Sequence, residues 1–141
     1  MSRTATRAAR VTLLAVALLA GCRRPPEERP IDTGARDAAR VFFEAIGRRD
    51  WGTAHAALNG DSRRTCSRDE LARRGEVYLK RVGFDAFTAR APVCEERGDE
   101  ATAHMVLTGA GHARREYKDA VIVRRRDGKW GVVLPVRFGG T

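Results

Sequence analysis

The stretch Asp119-Ala120-Val121-Ile122-Val123-Arg124-Arg125-Arg126-Asp127-Gly128-Lys129-Trp130-Gly131-Val132-Val133 decides the fold. Two β-rich runs flank Asp127-Gly128, and Asp-Gly in that setting favours a type I′ turn, whose twist suits a pair of antiparallel strands. Trp130, Val132 and Leu134 alternate as the inward face of the closing strand. Val121-Ile122-Val123 and Val132-Val133-Leu134 are apolar on both faces, so part of the sheet's outer face is expected to be covered.

Working back from this hairpin, period-two patterning predicts strands over 84–93, 100–108, 115–125 and 129–136. The expected links are residues 95–99, 109–112 and 127–128. On the second strand Ala101, Ala103, Met105 and Leu107 share one face, taken as the core side. Thr102, His104, Val106 and Thr108 share the other.

Further upstream the period becomes helical. Ala38, Val41, Phe42, Ala45 and Ile46 form one apolar stripe, which Phe43 widens. Asp32 or Thr33 is the expected N-cap, with Asp37 complementing the helix dipole. Asp50 caps a shorter helix carrying Trp51, Ala54 and Leu58, and Asn59-Gly60 is expected to stop it. Ser67-Arg68-Asp69-Glu70 has the capping-box pattern, and Leu71, Gly75, Tyr78, Leu79 and Val82 follow at helical spacing. Gly75 costs up to about 1 kcal/mol there relative to alanine, and is read as a point of close packing.

Three helical segments followed by a four-stranded meander give an α+β domain, helices packed on an antiparallel sheet. The run at 38–58, AARVFFEAIGRRDWGTAHAAL, resembles the opening helices of nuclear-transport-factor-2-like (cystatin-like, SnoaL-like) domains. The hairpin at 119–133, with Gly-Lys-Trp after its turn, is similar to the last hairpin of that superfamily. The resemblance covers residues 35–136. It implies a curved sheet wrapped on the long helix, a cone with a pocket at its wide end. It implies no reaction, since isomerases, dehydratases, cyclases and binding domains share that fold.

The N-terminus carries its own signal. Arg3, Arg7 and Arg10 precede an apolar run over 11–20 that is too short to span a bilayer. Leu19-Ala20-Gly21-Cys22 then resembles the lipobox of bacterial lipoproteins, which places the cut before Cys22 and a lipid on its thiol. Arg23 and Arg24, just past the apolar run, stand against translocation. The expected organisation is a signal peptide over 1–21, a Pro-rich tether over 22–33 and one domain over 34–138. The location this implies is the bacterial cell envelope, lipid-anchored and facing the periplasm or exterior.

The chain has 141 residues and a formal charge of +9; the three arginines of the leader account for three of these charges and leave +6 on the rest. The arginine pairs 63–64, 73–74 and 114–115 and the triplet 124–126 are spread along the chain. A nucleic-acid surface would concentrate them with stacking aromatics, so nucleic acid is not an expected partner. An acidic membrane surface suits an anchored protein better.

Chemistry-bearing residues are sparse. His55, His104 and His112 are scattered without HExxH, paired histidines or CxxC, so neither a metal nor another cofactor is expected. Asp85, His104, Tyr117 and Asp119 lie on expected strands and are the candidates for proton transfer, with Tyr117 and Asp119 on the Val121/Val123 face. Cys66 and Cys94 are read as a disulfide outside the cytoplasm, with a free buried pair as the alternative. The outer face around Ile122 and Val133 is the expected interaction surface, for a second copy or an envelope partner. The functional expectation is therefore a non-catalytic binding or scaffolding lipoprotein. Its rival is a small isomerase- or dehydratase-type pocket enzyme, and a third reading is a basic module docking on anionic lipid.

Overall fold

The computed structural model describes residues 31–110 and 115–140. Four helices precede four strands: α1 (Ala35–Gly47), α2 (Trp51–Ala56), α3 (Gly60–Thr65), α4 (Arg68–Val82), β1 (Phe87–Arg97), β2 (Glu100–Gly109), β3 (Glu116–Arg126) and β4 (Lys129–Val132). The strands form one antiparallel meander in the order β1-β2-β3-β4, and α1 lies against all four. The α+β architecture expected from the sequence is present.

The α1 stripe is Ala35, Ala39, Phe42, Phe43 and Ile46, all buried, whereas Ala38 is half-buried and Val41 exposed. The real stripe is rotated from the expected one because the sheet and α4 enclose both phenylalanines. Gly34, at φ 108°, occupies the N-cap without a side-chain cap. The two expected caps are engaged elsewhere. Asp32 accepts from the Gly34 amide at 3.1 Å. Thr33 donates to Glu96 through its amide and hydroxyl, both at 2.9 Å, and accepts from Trp130 Nε1 at 3.0 Å. The start of the domain is thus tied to β1 and β4.

Asp50 caps α2 as expected, accepting from the Thr53 amide at 3.0 Å. Asn59-Gly60 does more than end α2. The Asn59 side chain caps a further helix, α3, by accepting from the Ser62 amide at 2.9 Å. The same segment lies along β4: the Asn59 amide donates to Val132 O and the Val132 amide to Ala57 O. The link thereby closes that edge of the sheet. Ser67 caps α4 by accepting from the Glu70 amide at 3.1 Å, and Leu71, Gly75, Tyr78, Leu79 and Val82 are all buried. A Cβ on Gly75 would stand 2.4 Å from Trp51 Cζ3, which identifies the close packing as α2 against α4.

The sheet differs from expectation at its ends. β1 begins at Phe87, because Phe84 leaves the strand line to pack over Gly109 and edge-on to Phe87. It runs on to Arg97 with a register shift between Arg90 and Val93, where Pro92 has no amide to give a ladder. The β1–β2 hairpin closes through Gly98-Asp99, shorter than the expected 95–99 link. Asp127 (φ 51°) and Gly128 (φ 74°) are both left-handed, as a type I′ turn demands. β4 stops at Val132 rather than 136, and the chain then turns back across α4.

Candidate functional site at Tyr78 and Asp119

The inner face of the sheet is lined by Ala101, Ala103, Met105, Leu107, Val121, Val123 and Val132, all buried. At the end of this face, beyond Val121, polar groups appear. The Tyr78 hydroxyl, from α4, donates to Asp119 Oδ2 at 2.8 Å, and Asp119 Oδ1 accepts from the Ala120 amide at 2.8 Å. Tyr117 meets the Tyr78 ring edge-on at 6.4 Å, and the Arg81 guanidinium lies 5.2 Å over it. Burial first, then the Asp119 charge, pushes the Tyr78 phenol far above its ordinary pKa.

The returning C-terminal segment fills what would be the opening. Phe138 is 4% exposed, stacks on Tyr78 at 4.7 Å and 19°, and lies 5.7 Å from Phe42. Arg74 anchors it from α4, donating to the carbonyls of Phe138 (2.8 Å), Pro135 (2.7 Å) and Val136 (2.9 Å). Gly139, at φ 62°, comes so close that a Cβ would overlap the Arg74 carbonyl. What remains is an open cleft of about 200 Å³ among Phe42, Phe43, Arg81, Asp119, Arg137 and Phe138.

Of the expected proton-transfer residues, the structure brings Tyr117 and Asp119 to this site and not the other two. His104 is exposed on the opposite face of the sheet, where the strand alternation puts it. Asp85 is exposed in the loop before β1, and its carbonyl receives Arg49 at 2.9 Å. Tyr78 had a visible signal, its place on the α4 stripe, but that stripe marks burial and says nothing of a partner on β3. Phe138 had none, standing beyond the last periodic residue.

Cys66 and Cys94 are separate free thiols, both buried. Cys66 lies between α3 and α4, its carbonyl 2.9 Å from His55 Nε2, while Cys94 faces the α1 N-terminus on β1 near Arg36 and Glu96. α4 packs on α2 and α1 rather than doubling back along β1, so the expected pairing is not made. Burial, then Glu96, raises the Cys94 thiol above its ordinary pKa. Among the described residues no three His, Cys, Asp or Glu side chains gather as metal ligands. Cys22 and His112 lie outside the described residues.

The outer face is covered only in part. Val93 is 50% and Ile122 41% exposed, and Val133 is half-buried, its amide bonded to Ile122 O at 2.9 Å. Val106 and Gly131 on this face are buried, the latter against Asn59. Arg90–Glu116 and Arg124–Glu100 ion pairs flank it.

No family model matches the chain, and no curated protein matches it in sequence. Among solved structures, the solution structure of a SEC-C motif containing protein from Rhodopseudomonas palustris is similar. It is 13% identical with a TM-score of 0.50, over 74% of this chain and 77% of that one. The likeness is one of fold alone.

Proposed function

We propose that this chain is a lipid-anchored protein of the bacterial envelope whose domain, of the nuclear-transport-factor-2-like kind, is a non-catalytic binding or scaffolding module. The observation that carries this reading is Phe138 stacked between Phe42 and Tyr78, which fills with side chains the place where a pocket enzyme of that fold would hold its substrate. Both oxygens of Asp119 are engaged by donors of the protein itself. The open outer face, with Ile122 and Val93 exposed between ion-paired borders, is where a partner or second copy would bury apolar surface.

The Tyr78–Asp119 pair beside a cleft favours the rival, a small isomerase- or dehydratase-type enzyme. Aromatic and amide NMR during titration with small apolar ketones separates the two. The module reading expects no saturable shift at Phe42, Tyr78 or Phe138, and saturable shifts there would overturn it. Light scattering with and without Val133→Asp reads self-association through the outer face. The anchor is tested apart: Cys22→Ser should leave the membrane fraction, because each buried CH₂ of a lipid chain contributes about 0.8 kcal/mol.

A further inference from the structure

Arginines that are far apart in the chain meet at the β3–β4 end of the domain. Arg63 and Arg64 of α3, Arg124 and Arg126 of β3, and Lys129 of β4 line one cleft of about 580 Å³ with Asn59 and Trp130. All five cations are exposed. Asp61 holds two of them, pairing with Arg64 and lying 3.7 Å from Arg126, and Glu100 takes Arg124 at 2.8 Å. Among the described residues, Arg63 and Lys129 have no acidic partner within 4.0 Å. Asp127 also lines the cleft, with no ion pair among the described residues, and five cations against Asp61, Asp127 and Glu100 leave it net positive.

Two further observations bear on what meets this surface. Trp130 lines the cleft, and its Nε1 donates to Thr33, so the first residues of the domain sit beside the basic cluster. The described residues begin at Ile31, two positions before Thr33, so the expected tether would join the domain at that side. One face of the Trp130 ring is already taken by the Arg125 guanidinium, 5.1 Å from its centre, which leaves less of it for stacking a nucleobase.

We propose that this basic cleft docks the domain on an anionic lipid surface, with Arg63, Arg126 and Lys129 meeting head-group phosphates and Trp130 at the interface. Its orientation rests on the lipid-anchored reading, since Thr33 sets the tether on the same side. The binding itself does not require the lipid on Cys22. A basic residue near an anionic leaflet contributes roughly fivefold in partitioning, and the attraction fades as salt shortens the Debye length.

The test uses the chain from residue 22 onward carrying Cys22→Ser, mixed with phosphatidylcholine vesicles with or without phosphatidylglycerol. Expected is sedimentation with the anionic vesicles only, weakened about thirtyfold by Arg63→Gln with Lys129→Gln. Neither residue is in an ion pair among the described residues, so folding should be unaffected, as a thermal melt would verify. The same charge removed on α4, by Arg68→Gln with Lys80→Gln, should leave binding within about twofold. Equal losses from both double variants would overturn the proposal, as would no binding to anionic vesicles. Tighter binding to a single-stranded oligonucleotide would overturn it in favour of nucleic acid. Full competition by inorganic phosphate at matched ionic strength would reassign the cleft to a soluble anion. None of these outcomes depends on whether Cys22 is acylated, which the fractionation of the full chain decides.

Discussion

Replacing Phe138 with alanine should cost about 3 kcal/mol, although the residue stands near the chain end and belongs to no helix or strand. Its ring is enclosed, 4% exposed, and in contact with Tyr78 and Phe42 at centroid distances of 4.7 and 5.7 Å. Phe→Ala in a closed core costs about 3–5 kcal/mol, as lost transfer energy plus the cavity left behind. The value here falls at the low end because the space vacated opens on the existing 200 Å³ cleft, so water can enter. A domain of this size has roughly 5–10 kcal/mol in total, so the loss is large. With a urea slope of about 1.5 kcal/mol per molar, the unfolding midpoint should fall by about 2 M. Val136→Ala, in the same segment but 95% exposed, should leave it unchanged. A midpoint shift below about 0.5 M for Phe138→Ala would show that the segment adds nothing to the core, and the filled site would lose its basis.

Tyr78 makes stability sensitive to high pH. Its folded pKa lies above the unfolded value near 10, so the native state keeps a proton that the unfolded chain releases, and stability falls as pH rises past about 10. The slope should approach about 1.4 kcal/mol per pH unit in urea unfolding from pH 9 to 11, and Tyr78→Phe should abolish that part of it; an unchanged slope would contradict the burial. Gly75→Ala gains helix propensity of up to about 1 kcal/mol but drives a methyl into Trp51, for a net loss of about 1 kcal/mol and an altered Trp51 emission. A stabilised variant would mean that Trp51 swings aside. Residues 31–141 produced under oxidising conditions should show two free thiols by intact mass, Cys94 reacting slowly before denaturation; a mass lower by two hydrogens would contradict the separation of Cys66 from Cys94.

Much of the architecture was legible because its causes are local. Side-chain alternation set the inward faces of β2 and β4, and Asp127-Gly128 set the hairpin through the left-handed backbone that both residues tolerate. Asp50 and Ser67 announced two helix starts, since a cap needs only an amide three residues away. Other features depend on atoms distant in sequence. Asn59 reads as a stop until β4 lies beside it. Phe138 gains its place only from Phe42, Arg74 and Tyr78, which stand sixty or more residues earlier. The separation of Cys66 from Cys94 follows from where α4 packs. The basic cleft shows the limit most plainly. Five cations from three elements converge because α3 is pinned to the end of the β3–β4 hairpin, and no spacing along the chain encodes that meeting.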